Sequence, residues 1–253
     1  MNRFLFGTSG FGYDHWRDVF YPPHTDPADR LTFYASRFPA VELNVTFYRL
    51  ITRELFARWR DSTPDAFRFA LKGSRLVTHF RRLANAEDAV RTFFEHASGL
   101  GDKLEVVLWQ LPPAMPVDTG RLDAFCAMAT SVTPVRHAFE FRHAGWFAEE
   151  TYAVLRAHGC GLCVASAPGG VSPDVITAGF TYLRFHGGSV LPAAAYSDEE
   201  LAASASIARA RLDSGIDVYA FFNNDAHAYA PADAQRLAGL VRGMNDGVDD
   251  ASE

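Results

Sequence analysis

The sequence predicts a single (β/α)8 barrel of the TIM type, and two observations carry that reading. Eight short strand-like runs recur along the 253 residues, at 4–8, 40–44, 67–72, 104–111, 137–142, 161–166, 180–187 and 217–225. Helix-like patterns alternate with them, at 29–38, 53–60, 86–98, 120–129, 148–157, 198–212 and 232–241, with a poor sixth one near 172–177. Strands alternating with helices imply right-handed crossovers and a parallel sheet. Eight such units in about 250 residues match the barrel in count and length. A doubly wound sheet fits less well, because it usually carries a glycine-rich nucleotide turn after its first strand, and "GTSGFG" (residues 7–12) is not that fingerprint.

The elements carry their own start and stop signals. The chain opens "MNRFLFGTSG", entering a strand almost at once without a signal-peptide hydrophobic region. Asp26 before Pro27 offers an N-cap and a first-turn proline for the first helix. Ala89, Val90, Phe93, Phe94, Ala97 and Leu100 form one apolar stripe on the third. Ser197 with Glu200 makes a capping box, and Gly215 follows near the far end of that helix. The expected domain spans residues 1–243. The last stretch, 244–253, is acidic and rich in small residues, and reads as a disordered tail.

Bulk numbers narrow the function classes. A chain that is 48% hydrophobic and 21% charged has the composition of a folded, soluble protein. Its net charge of −6 disfavours a general nucleic-acid binder without excluding a local basic patch. Three cysteines are too few for a disulfide framework, so a reducing, cytoplasmic setting is expected. No run approaches the roughly 20 apolar residues of a membrane span. "CGLC" (residues 160–163) opens the sixth strand, away from the end where barrels do chemistry, and reads as a buried structural pair.

Strand parity then picks out candidate site residues. Both faces of a barrel strand are covered, one by helices and one by the interior. On the second strand Val41 and Leu43 oppose Glu42 and Asn44, and on the third Phe67, Phe69 and Leu71 oppose Lys72. On the fifth, Phe139 and Phe141 oppose Glu140 and Arg142; on the seventh, Leu183 and Phe185 oppose Arg184 and His186. Gln110 closes the fourth strand, and Asn223, Asn224 and Asp225 close the eighth. The polar set therefore points into the barrel at its C-terminal end, where barrel enzymes place their active sites. Buried charges need partners or a ligand, so a structural salt-bridge layer of Glu42, Glu140, Arg142 and Arg184 is the competing reading.

The loops beyond these strand ends add detail. The first holds Phe11, Tyr13, Trp16, Phe20 and Tyr21, a wall or lid for the mouth, and the third carries Arg75, His79, Arg81 and Arg82. The seventh puts Gly187, Gly188 and Ser189 where loop amides bind phosphate in many barrels. Glu42, Glu140, His186, His79 or Asp225 could in principle ligate a metal, but no H-x-H or H-E-x-x-H spacing supports one. Arg142 beside Glu140 keeps that carboxylate ionised, which suits a base or nucleophile better than an acid.

The motifs "GTSGFGYDHW", "FYASRFPAVELNVTFYR", "TPDAFRFALK", "TH", "LWQLPP", "EFRHAGWF", "YLRFHG" and "VYAFFNND" resemble, in order, those of the YecE-like proteins, a "domain of unknown function" family. The likeness covers about residues 4–241 and implies a TIM-type barrel. It implies no reaction; the family's fold is similar to that of a zinc-dependent DNA repair endonuclease, an analogy of fold alone. The positions it carries over are Glu42, Asn44, Tyr48, Lys72, His79, Gln110, Glu140, Arg142, Trp146, Arg184, His186, Asn223 and Asn224. This chain departs from the family at "VASAPG", where relatives commonly read something like "VADSAG" and Ser166 takes the acidic position. Any metal or acid role of that aspartate would be weakened here.

The expected function is an enzyme, a hydrolase or lyase, acting on a small anionic substrate bearing carboxylate or phosphate. Glu42 or Glu140 would be base or nucleophile and His186 the proton donor. Lys72, Arg142 and Arg184 would hold the negative charge, helped by the Gly187 loop, while Trp146 walls the pocket. A nucleic-acid-processing enzyme and a non-catalytic binding barrel are the alternatives. No cofactor, membrane partner or oligomeric state is read from the sequence.

Overall fold

The computed structural model describes residues 2–167, 170–188 and 194–246. The barrel strands are β1 (Phe4–Thr8), β2 (Ala40–Leu43), β3 (Arg68–Lys72), β4 (Leu104–Gln110), β5 (Arg136–Glu140), β6 (Gly161–Ala167), β8 (Phe180–Phe185) and β9 (Asp217–Phe222). A two-residue arm, β7 (Gly170–Val171), pairs antiparallel with β6. The eight barrel strands are parallel and adjoin in the order β1-β9-β8-β6-β5-β4-β3-β2, which nearly closes the ring. Around them lie α1 (Arg30–Ala35), a single turn α2 (Val45–Tyr48), α3 (Arg53–Asp61), α4 (Glu87–Ala97), α5 (Thr119–Val132), α6 (Glu149–Ala157), α7 (Asp198–Asp213) and α8 (Tyr229–Asp246). The (β/α)8 architecture is therefore the one the alternating pattern predicts.

Three local expectations need correction. No helix forms over 172–177, where the β-branched run Val175, Ile176, Thr177 follows Pro173. The segment instead runs along β6, with Thr177 Oγ1 accepting from Leu162 N and donating to Cys160 O, each at 2.8 Å. Asp26 does not cap the first helix, which starts at Arg30; its carboxylate accepts from Ala28 N in a turn upstream. Cys160 and Cys163 are both buried but lie in different cores, one outside the barrel and one within it, so they do not form a pair. The Ser197–Glu200 capping box is present, and Gly215 (φ +87°) follows α7 in the left-handed region glycine favours. Helix α8 continues to Asp246, into the predicted tail; residues 247–253 lie outside the described residues.

The interior is layered. Leu5, Ala70, Leu108, Ala138, Tyr182 and Phe221 belong to an apolar middle, while Val41, Phe69, Trp109, Phe139 and Leu183 face the helices. Below the middle sits an ionic layer at the strand N-termini. Arg3 and Arg68 reach Glu105 (2.7 and 3.6 Å), Arg136 reaches Asp217 (2.7 Å), and Tyr219 donates to Glu105 (2.6 Å). The second polar layer lies at the opposite end.

β1 and β2 are neighbours without a hydrogen-bonded ladder, and one side chain bridges them. The Tyr34 hydroxyl accepts from Thr8 N (2.8 Å) and Thr8 Oγ1 (2.9 Å) and donates to Ala40 O (3.1 Å). Gly7 makes the approach feasible, because a Cβ there would sit 2.0 Å from the Ala40 carbonyl oxygen.

Candidate functional site at the barrel mouth

Glu42, Glu140 and Arg184 leave their strands on the inward face because strand side chains alternate with a period of two. They meet at the C-terminal end of the barrel, fully buried. Arg184 grips Glu42 with Nη2–Oε1 at 2.7 Å and Nε–Oε2 at 3.0 Å, and turns Nη1 to Glu140 Oε2 at 2.7 Å. Tyr182, two residues earlier on the same face, donates to Glu42 Oε2 at 2.6 Å. Arg142 pairs with the other oxygen of Glu140, and Gln110 Nε2 lies 3.4 Å from it. Asn44 links Arg184 to Asn223, whose Oδ1 accepts from Asn44 Nδ2 at 2.9 Å.

These pairings set the protonation states. Burial opposes ionisation of both glutamates, yet Arg184 and their other polar neighbours hold the Glu42 carboxyl below the usual carboxylate range and that of Glu140 well below it. His186 Nε2 lies 2.8 Å from Arg142 Nη2, 3.3 Å from Arg184 Nη1 and 3.3 Å from Glu140 Oε1. The guanidiniums can only donate to this nitrogen and Glu140 can only accept from it, and burial with the two cations favours the neutral ring. Burial, and then Arg184 and Arg142, lower its pKa against the pull of Glu140. These states bear on the expected division of labour between the glutamates and His186. Two carboxylates clamped by arginine are weak bases, and a neutral imidazole facing guanidiniums is a poor proton donor.

Lys72 is the exception in this layer. It ends β3 and is 9% exposed; its carbonyl accepts from Thr46 Oγ1 at 2.7 Å, but its ammonium makes no hydrogen bond or ion pair among the described residues. Its Nζ rests 4.5 Å above the ring of Phe47 from α2. Burial and the nearby Arg184 bring its pKa down to about 8. His79 packs edge-on against the same Phe47 ring at 4.9 Å, with Nδ1 2.9 Å from Thr78 Oγ1. Burial, and then Lys72, lower the His79 pKa too. Tyr48, 62% exposed, and Phe80, 69% exposed, flank the Arg75 guanidinium at 5.9 and 5.6 Å on the outer rim.

Other expected site residues lie elsewhere. Trp146 is fully buried, stacks on Phe141 at 4.9 Å and donates from Nε1 to Met115 O, so it packs the outer core and walls no pocket. Asn224 anchors the start of α8, donating to Asp233 (2.9 Å) and Ala194 O (3.0 Å). The Gly187 and Gly188 amides are taken by Tyr196 Oη and Ala194 O, leaving neither for a phosphate; Ser189 lies outside the described residues. In the first loop, Trp16 and Tyr21 are buried in an aromatic cluster with Phe20 and make no lid. Phe11 and Tyr13 do line a cavity of about 320 Å³, together with Asn44, Arg49 and Trp59, at the edge of the network. Arg81 is occupied by Asp88 and by Asn85 O.

Parity could have found Tyr182, since it shares the inward face with Arg184. Phe47 gave no signal, because its role depends on a one-turn helix in a loop. Among the described residues, no three His, Cys, Asp or Glu side chains converge as metal ligands, and Ser166 Oγ is hydrogen-bonded to Tyr196. No helix among them is long and apolar enough to cross a membrane.

Comparisons with known proteins agree with this architecture. A crystal structure of a DUF72 family protein from Thermotoga maritima covers 96% of this chain and 99% of its own, with a TM-score of 0.81 at 28% identity. UPF0759 protein YunF of Bacillus subtilis is 29% identical over 197 residues, 72% of this chain and 69% of that protein. UPF0759 protein YecE of Escherichia coli is 37% identical over 79 residues, 31% of this chain and 29% of that protein. The family model described as "Protein of unknown function DUF72" matches residues 5–252, and the chain belongs to that family.

Proposed function

We propose that the barrel mouth binds a small organic anion, bearing carboxylate or phosphate, and acts on it as an enzyme. The observation that carries this reading is Lys72: a buried ammonium with no carboxylate within ion-pair distance among the described residues, beside a network whose own charges are already matched. The ionic layer at the other end of the barrel provides the contrast. There each of Arg3, Arg68 and Arg136 has a carboxylate partner. A layer built only to plug a barrel would pair its cations in the same way, since an unpaired buried charge costs several kcal/mol. Arg142 adds a buried Nε without a partner among the described residues. Glu42, Glu140 and Arg184 then form the rigid floor that aims Arg142, while burial and the two guanidiniums keep His186 neutral. The test is calorimetric titration with inorganic phosphate and with short carboxylates. Lys72→Met should weaken binding by about tenfold or more, the scale of one charge-assisted hydrogen bond; unchanged affinity would remove Lys72 from the site.

A second reading rests on the rim. Exposed Tyr48 and Phe80 with Arg75 between them resemble a platform on which bases stack. It requires salt-sensitive binding of single-stranded nucleic acid that weakens in Tyr48→Ala and Phe80→Ala.

A further inference from the structure

The chain holds two lysines among its 24 Lys and Arg residues, Lys72 and Lys103. Arginine is used at nearly every position that needs a cation, and it is the better residue for fixed ion pairs and bidentate anion contacts. What lysine alone can do is lose its proton near neutral pH and attack as an amine. Lys103 has a structural reason to be lysine: its Nζ donates to Arg60 O, Thr63 O and Thr63 Oγ1, at 2.7, 2.7 and 3.2 Å. Lys72 has no such acceptor among the described residues.

We propose that Lys72 is an amine nucleophile that condenses with the carbonyl group of an anionic aldehyde or ketone to form an imine. This deepens the anion-binding reading above and rests on it. In the step, the lone pair of neutral Nζ forms a bond to the carbonyl carbon. The carbonyl oxygen then departs as water, carrying both amine hydrogens, and the C=N bond replaces C=O; no oxidant or reductant is needed. The surroundings suit each part. The flat face of Phe47 supports Nζ without accepting its proton, and burial with the Arg184 guanidinium outweighs the pull of Glu42 and Glu140 toward the ammonium. At pH 7 an amine titrating at about 8 is neutral in roughly a tenth of molecules, against fewer than about one in a thousand at the ordinary lysine value. His79, held at Nδ1 by Thr78, turns no other nitrogen to a protein partner among the described residues, leaving Nε2 for proton transfer to the departing oxygen. The imine nitrogen would then be an electron sink for bond cleavage next to the former carbonyl, the chemistry of a lyase.

The experiment is borohydride trapping on the full-length protein with glyoxylate, pyruvate and, as an uncharged probe, propanal. Intact mass and peptide mapping read the product. The expected result is one adduct, with the mass of the oxo acid less water plus two hydrogens, on Lys72 and not on Lys103. It should be competed by inorganic phosphate, be absent in Lys72→Arg, and form at a rate rising with pH to a half-maximum near 8. Trapping that is equal at Lys72 and Lys103, or that persists in Lys72→Arg, overturns the proposal. If glyoxylate and phosphate bind by calorimetry but no adduct forms, the imine fails while the anion site stands. If propanal is trapped on Lys72 as readily as glyoxylate and phosphate does not compete, the imine stands and the anion site fails.

Discussion

Arg184 and Glu42 face each other across the barrel in a bidentate pair, at 2.7 and 3.0 Å, with side-chain exposures of 1% and 0%. The same guanidinium reaches Glu140, so one cation from β8 ties together β2 and β5. Such a group is far more costly to break than to keep, because its removal leaves two carboxylates buried and unmatched.

Arg184→Met is therefore expected to destabilise the fold by about 3–5 kcal/mol, read as a lower urea midpoint at pH 7. The pH sign follows from the carboxylates. Their folded pKa values lie below the unfolded value near 4.3, so their contribution is fully present above that value and is lost as pH falls through the folded pKa. The wild type should lose stability on acidification below about pH 4.3. Arg184→Met should show a much shallower loss or none, since without the guanidinium the carboxyls are no longer held down.

Lys72 gives a pH slope of the same sign, but here it is the charged form that destabilises. Its folded pKa of about 8 lies below the ordinary lysine value, so the unfolded chain binds more protons between about pH 8 and 10.5 and stability rises with pH through that window. Below pH 8 the buried ammonium is a liability of about 3 kcal/mol. Lys72→Met should thus be more stable than wild type at pH 7, with the gain vanishing above about pH 10.5, even as anion binding is lost. Urea denaturation at pH 7 and pH 10.5 checks it; a variant less stable than wild type at pH 7 would show that Lys72 is a structural partner.

What could be read from the letters was what a strict period dictates. Glu42, Glu140 and Arg184 share the interior because residues two apart share a strand face, and eight alternations of strand and helix leave little room for another topology. The errors fall on the loops beyond the strand ends. There Trp146, Asn224 and the Gly187 amide turn to Met115, Asp233 and Tyr196, partners 31, 9 and 9 residues away that no periodicity specifies. Protonation was the other blind spot. Arg142 next to Glu140 was visible, but the convergence of Arg142 and Arg184 on His186 Nε2 depends on two strands and a loop meeting at one point.

The reassignment of Trp146 makes a prediction of its own. Its ring fills a slot against Phe141 at an interplanar angle of 8°, and its Nε1 satisfies a buried carbonyl. Trp146→Phe should cost about 1–3 kcal/mol of stability through the lost hydrogen bond and the smaller ring. Affinity for phosphate or carboxylates should stay within about twofold of wild type, under 0.5 kcal/mol. A selective loss of binding with stability intact would return Trp146 to the pocket.

The seam between β1 and β2 is where the barrel is least protected, because Tyr34 takes the place of a strand ladder. Removing the hydroxyl in Tyr34→Phe leaves Thr8 N and Ala40 O buried without their partner. Each orphaned group costs about 1–3 kcal/mol, so a drop of about 2–4 kcal/mol in unfolding free energy is expected. Gly7→Ala should be at least as damaging for a different reason: its Cβ would meet a backbone oxygen at 2.0 Å, and backbone cannot rotate away as a side chain can. Because Asn44 Nδ2 reaches across the same seam to Ser9 O at 3.3 Å, opening it should disturb the mouth before the whole barrel melts. Hydrogen exchange tests that order. In Tyr34→Phe, the amides of Thr8, Ser9 and Leu43 should lose protection while those of Phe139 and Leu183 keep it; uniform loss across all eight strands would show that the seam is not a weak point of its own.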